Sequence, residues 1–154
     1  MQTMESLAPL TRAQHSMWKG HYYHGSYPFH TAEWLVIEGP LNRALFHQAV
    51  ELSLKEAKAL HWRALEKEGQ VYRVDDVGLR EPKFVDLSDL DEQAILAWAD
   101  QQVEPPFDLS RGHLYDYTIA HLGEQKYGLF FRAHHVALDG YAYGLMISRF
   151  LDYY

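Results

Sequence analysis

The stretch KYGLFFRAHHVALDGYAYG, residues Lys126 to Gly144, decides how this chain is to be read. Its first half is apolar and aromatic, as a strand requires. It closes on the adjacent histidines His134 and His135, and Asp139-Gly140 follows the second after three residues. A histidine at the exit of an apolar strand stands where a rigid sheet meets a loop, and Asp-Gly begins a turn into a helix. Imidazole gives and takes protons near neutrality, so a histidine fixed there can serve acyl transfer without a serine or cysteine nucleophile. On residue type alone, such a histidine is more often a satisfied core or loop residue than a catalyst. The dipeptide by itself decides little.

Working outward, HLYDYTIAHL (113–122) precedes the histidine strand, and Gly123-Glu124-Gln125 joins the two as an antiparallel hairpin. Downstream, Tyr143, Met146, Ile147, Phe150, Leu151 and Tyr154 mark a helix with no stop signal, which suggests a fragment of a longer protein. Upstream, Pro105-Pro106 stops a helix predicted from about Asp89 to Val103, capped by Ser88 and carrying Leu90, Ala94, Ala97 and Trp98 towards one side. Before it, KFVDLS (83–88) and VYRV (71–74) read as strands, and LEKEGQ (65–70) as a polar turn. Asn42 caps a predicted helix to about Leu60, with Leu41 and Phe46 as a staple and Leu41, Leu45, Ala49 and Leu52 at core spacing. TAEWLVIEG (31–39) is a strand ended by Gly39-Pro40, and HYYHGSYPFH (21–30) an ordered loop. Thr11 to Gln14 fits a capping box for a short helix ending near Trp18.

Composition limits the function classes. The 154 residues are 47% hydrophobic, enough for one domain with a sizeable core. Fourteen basic against 21 acidic residues give a net charge of −7, which disfavours a nucleic-acid footprint. Without cysteine there is no disulfide framework, thiolate metal site or cysteine nucleophile. The start lacks a secretory pattern and no apolar run approaches the ~20 residues of a membrane span, so a cytoplasmic chain without a membrane partner is expected. No glycine-rich phosphate cradle is present, and no cofactor is expected to bind directly. Metal binding by His21, His24, His30 and the His134-His135 pair is a weaker alternative, because neighbours on a strand point to opposite faces. Trp98 and its neighbours read as core and the acidic excess as a solvated face. Tyr22, Tyr23, Tyr27 and Phe29 either line a donor pocket or pack beneath their loop.

The fuller pattern says more. His134-His135-Val136-Ala137-Leu138-Asp139-Gly140 resembles the HHxxxDG signature of the condensation domains of nonribosomal peptide synthetases. LAPLTRAQHSMW (7–18) is similar to that family's amino-terminal motif, and PPFDLSRGHLYDYTI (105–119) to its Pro-Phe-Asp-Leu segment. The three occur in the family's order. KEAKALHWRAL (55–65) departs from the Arg-His-Glu and Leu-Arg-Thr run common in relatives. His61 stands where an arginine is expected, so an ion pair supporting Asp139 is not carried over. Tyr141-Ala142-Tyr143 resembles the starter domains of catechol-siderophore synthetases and hints at an aryl donor.

The resemblance implies an α+β fold of the chloramphenicol acetyltransferase type, with a mixed, largely antiparallel sheet flanked by helices. It implies two lobes about a tunnel, residues 1–154 being the amino-terminal lobe alone. It implies partners: donor and acceptor carrier domains bearing phosphopantetheine-linked substrates, the second lobe, and an adenylation domain in the same assembly line. The reaction implied is attack of an aminoacyl amine on an acyl thioester, which needs a neutral amine, a stabilised oxyanion and aligned arms. His135 would accept a hydrogen bond or proton from the amine. His134 would be structural, Asp139 would hold the loop by accepting hydrogen bonds or pairing with a cation, and Gly140 would permit a close backbone approach or a positive φ. The isolated lobe is expected to be inactive. The competing reading is a lobe that binds carriers without turnover.

Overall fold

The computed structural model describes residues 7–154. The capping box at Thr11 forms as expected: Gln14 N–H donates to Thr11 Oγ1 at 3.2 Å, and Thr11 N–H donates to Gln14 Oε1 at 3.0 Å. The helix it starts, α1 (Arg12–His24), runs a turn and a half past Trp18 into the segment expected to be loop. Gly20 does not break it, and its missing side chain has a use. A Cβ there would lie 2.4 Å from Phe29 Cζ, so the glycine lets a 3₁₀ turn (Tyr27–Phe29) lie against the helix.

Asn42 caps α2 (Arg43–Glu56) by accepting N–H bonds from Ala44 and Leu45, both at 3.1 Å. The buried stripe is Phe46, Ala49, Val50, Ser53 and Leu54, with Leu41 packed against the same core. Leu45 and Leu52, expected to face inward, are 51% and 37% exposed. The helix ends at Glu56 rather than Leu60 because Ala57 leaves helical ψ, at +66°. After the Lys58–Leu60 3₁₀ turn comes a strand the sequence did not announce, β3 (Arg63–Lys67). The LEKEGQ segment is therefore the tip of a hairpin. Glu68 and Gly69 take φ of 53° and 74°, as a two-residue turn with a positive pair requires, and β4 (Gln70–Val74) returns. β4 also pairs with β1 (Leu7–Pro9), completing an antiparallel three-stranded sheet.

A second sheet carries the histidine strand. Its order is β2 (His30–Glu38), β7 (Lys126–His134), β6 (Tyr115–Gly123) and β5 (Lys83–Asp86), antiparallel except for the β5–β6 pair. On one face α2 and α4 (Gly140–Tyr153) bury Phe46, Leu54, Met146 and Phe150 against Tyr117, Leu129 and Phe131. On the other face α3 (Glu92–Val103) sets Ile95 and Trp98 on Ala120, Leu122 and Trp34. Asp91, not Ser88, caps α3, accepting from Ala94 N–H at 2.8 Å; Ser88 spends its hydroxyl and N–H on Asp86. Leu90 lies outside the helix, 42% exposed. A third apolar cluster, Trp62, Phe107, Leu109, Leu114 and Val136 with Met17 and Trp18 of α1, fills the corner between the sheets. The chain is thus α+β, with a mixed, largely antiparallel sheet between helices.

Candidate active site

Strand β7 ends with its two histidines on different surroundings. His134 is fully buried, and its backbone N–H donates to Leu114 O at 2.9 Å. Val136 N–H donates to its Nδ1 at 3.1 Å, so the neutral ring carries its proton on Nε2, which donates to His21 Nδ1 at 3.2 Å. The rings of Phe29 and Phe107 pack around it. Burial, with His21 and His30 as nearby like charges, pushes His134 from 6.5 down to about 3. It is therefore neutral at cellular pH, with both nitrogens occupied.

His135 is half-buried and begins the turn beyond the strand. Its N–H donates to Phe29 O at 2.8 Å, which ties it to the Tyr27–Phe29 turn. That turn is itself held by a chain of bonds. Phe107 N–H donates to Ser26 Oγ at 2.9 Å, Ser26 O–H donates to His30 Nε2 at 2.6 Å, and His30 Nδ1–H donates to Val103 O at 2.7 Å. Burial also lowers the pKa of His30, in keeping with the neutral ring this chain needs. The Nδ1 atom of His135 is buried and has no hydrogen-bond partner among the described residues.

Asp139 and Gly140 open α4. Asp139 caps it, accepting from Ala142 N–H at 2.8 Å. Gly140 does not take the positive φ that was one of its two expected uses. It is helical, and no atom lies within 4 Å of the place a Cβ would occupy. The space before it belongs to a small cavity of about 100 Å³ between the β2 edge and the start of α4, lined by Thr31, Glu33, Phe131 and Tyr143. Burial, then the Glu33 charge, raises the pKa of Tyr143, whose hydroxyl has no partner among the described residues. Of the loop aromatics, Tyr22, Tyr23 and Tyr27 are 58%, 82% and 61% exposed, while Phe29 stacks on His134.

His61, which stands in the departed motif, does not approach Asp139; its Nε2–H donates to Leu54 O at 2.8 Å and closes the end of α2. The histidines weighed as metal ligands divide likewise. His21, His30 and His134 come together, but the nitrogens of His30 and His134 are committed to the bonds above. No group of three or more His, Asp or Glu among the described residues is placed to hold a metal.

Arg132 and Asp116, to which no motif in the sequence gives a role, are central to the framework. They face each other across β6 and β7, each 5% exposed. Arg132 Nε and Nη2 both donate to Asp116 Oδ2, at 2.8 and 2.5 Å. Arg132 Nη1 donates to Val103 O at 3.2 Å and to Pro105 O, satisfying carbonyls at the end of α3 that have no helical partner. The sequence shows one charged residue inside each apolar strand of the hairpin, but the register that sets them opposite each other is decided by the fold.

Comparison with known proteins bears on this arrangement. The model of the Condensation domain family matches residues 4–154. The isonitrile lipopeptide synthase of Streptomyces coeruleorubidus is 30% identical over 98% of this chain, and the dimodular nonribosomal peptide synthase of Bacillus subtilis (strain 168) is 30% identical over 94%. The chain spans only 11% and 6% of their respective lengths. Among solved structures, the first condensation domain of the calcium-dependent antibiotic synthetase matches with a TM-score of 0.84 at 26% identity, over 94% of this chain and 36% of that one. The starter condensation domain of rhizomide synthetase RzmA shares the fold, with a TM-score of 0.85 at 23% identity over the same shares.

Proposed function

This chain belongs to the Condensation domain family, and from that premise we propose that it is the amino-terminal lobe of a domain that forms amide bonds in a nonribosomal peptide synthetase. The carrier-bound amine of an aminoacyl group attacks a carrier-bound acyl thioester; the C–N bond forms, the thiolate of the donor phosphopantetheine leaves, and the amine gives up a proton. The observation that supports the reading is the fixed His135. It is anchored by Phe29 O and followed by a helix capped through Asp139. Nδ1 of His135 has no hydrogen-bond partner among the described residues, and in this reading Nε2 accepts from the attacking amine.

A free α-amine has a pKa near 8, so part of it is already neutral at cellular pH and alignment carries much of the rate. His135 orients the amine and receives its proton. His134 holds the turn from beneath, Asp139 fixes the direction of α4, and Gly140 leaves its backbone approachable. The partners are donor and acceptor carrier domains, a second lobe that closes the tunnel, and an adenylation domain. That this chain matches about a third of the solved condensation-domain chains supports the two-lobe reading. Tyr141-Ala142-Tyr143 at the start of α4 is the feature that points towards an aryl donor.

The test is intact-protein mass spectrometry of carrier-bound products, using the polypeptide that joins this lobe to its second lobe and carriers. An aryl donor and an aminoacyl acceptor are loaded. Acyl transfer that vanishes in His135→Ala is the expected result; wild-type-like amide yield would overturn the role of His135. No transfer from a correctly loaded wild type with either aryl or alkyl donors would favour a lobe that binds carriers without turnover.

A further inference from the structure

On the side of the sheet away from α2 and α4, a cavity of about 350 Å³ opens between the end of α3, the Pro105-Pro106-Phe107 segment and the start of β5. None of the residues assigned to amide formation lines it. Four permanent cations do: Arg80, Lys83, Arg111 and Arg132. Among the described residues, two carboxylates line the cavity with them, Asp108 and Asp116, and both are already engaged. Asp116 Oδ2 takes two bonds from Arg132, and Arg80 Nε lies 2.8 Å from Oδ1 as a charge contact without a well-aimed N–H. Asp108 Oδ1 takes the N–H and hydroxyl of Ser110, at 2.9 and 2.6 Å, with Arg111 Nε 3.4 Å from Oδ2. Lys83 makes no ion pair with a described residue.

This concentration of positive charge stands in a chain whose net charge is −7, so it is local and opposed to the overall field. The cavity wall also carries an uncommon backbone feature. Gly112 and His113 take φ of 81° and 55° in succession, and His113 Nδ1 is buried without a hydrogen-bond partner among the described residues. A histidine in the left-handed region is strained unless its surroundings hold it there, and such residues cluster where ligands are held. Burial, then the Arg80 charge, lowers the pKa of His113, so the ring is neutral at cellular pH and presents one acceptor and one donor.

We propose that this cavity is a binding site for a phosphate group. Two cations in excess of the carboxylates match the charge of about −1.5 to −2 that a phosphate carries at neutral pH, and guanidinium forks suit its oxygens. At about 350 Å³ the space exceeds a single phosphate, so the group is either free phosphate or the end of a larger ester. The site is independent of amide formation, and its failure would leave the proposed function untouched.

Isothermal titration calorimetry with inorganic phosphate tests it, at low ionic strength and neutral pH, on the chain as it stands. Saturable one-to-one binding is expected, weakened about tenfold or more in the double variant Lys83→Gln/Arg111→Gln, since each loss removes a charged hydrogen bond. Both side chains are exposed, so their replacement leaves the fold intact, which a thermal melt verifies. Acetate, a monoanion, is expected to bind at least about tenfold more weakly than phosphate. Methyl phosphate separates the sources: affinity equal to inorganic phosphate assigns the site to an ester, and much weaker binding assigns it to the free ion. Absence of saturable binding in the millimolar range, or an unchanged dissociation constant in the double variant, would overturn the proposal. Should the double variant not fold, Lys83→Gln alone carries the same comparison.

Discussion

The buried imidazole of His134 makes a quantitative prediction about acid stability. Its pKa is held near 3 in the folded chain against 6.5 when exposed, so the native state resists the proton that the unfolded state accepts. Above about pH 6.5 the ring is neutral in both states and its contribution to stability is complete. As pH falls below 6.5 the unfolded chain gains a proton that the folded chain refuses, and stability drops until the pH passes the folded value near 3. One pKa unit corresponds to about 1.4 kcal/mol, so between pH 7 and pH 5 this residue alone removes about 2 kcal/mol. His134→Asn isolates the effect, because the Asn Oδ1 can accept from Val136 N–H as Nδ1 does but has no titration. Urea unfolding of both proteins at pH 7 and pH 5 gives four free energies. His21 and His30 remain in both proteins, and NMR titration of their rings in each separates any change in their own pH dependence from that of His134. The variant starts less stable at pH 7, and the gap is expected to narrow by about 2 kcal/mol at pH 5. Parallel pH dependences would refute the claim that His134 is held neutral by burial.

Two further perturbations probe the frame around the site. Asp139→Ala removes the cap of α4 and is expected to cost about 1 kcal/mol in thermal or urea unfolding, whereas Asp139→Asn retains the acceptor and stays near wild type. A large loss in the Asn variant would mean that the carboxylate charge, not capping, is what matters. Asp116→Ala leaves Arg132 buried and unpaired, for which about 3–5 kcal/mol of stability is expected to be lost; a loss under 1 kcal/mol in urea unfolding would show that the carbonyls of Val103 and Pro105 suffice to hold the guanidinium.

Much of the frame is legible in the chain alone, because its signals are local. Thr11 with Gln14, Asn42 before Ala44, and Pro105-Pro106 after Val103 act within a few residues, and each marks a helix end that the structure contains. The hairpin of β6 and β7 and the helix after Asp139 are equally local. Where neighbours compete, the chain is ambiguous. Ser88 and Asp91 are both good caps, and Ser88 is withdrawn by Asp86. The stripe of Leu41, Leu45 and Leu52 competes with Phe46, Val50 and Leu54, and packing against α4 decides for the second. The strand β3 is hidden because its polar tip resembles a loop until β4 gives it a partner.

The family resemblance, the hairpin that carries His134 and His135, and the turn into a helix at Asp139-Gly140 follow from the chain alone, since all three lie within short stretches of it. Tertiary structure alone decided the roles those residues can play. An irregularity in β6 between His121 and Gly123 shifts the register by one residue, and that shift sets Asp116, rather than Tyr117, opposite Arg132. A one-residue slip exchanges the two faces of a strand, so no reading of alternation could foresee the ion pair. In the same way His21, 113 residues away in sequence, reaches His134 only through the folding of α1 over the sheet. Burial then separates the two adjacent histidines, one enclosed and neutral, the other anchored through its backbone with its ring half in the open.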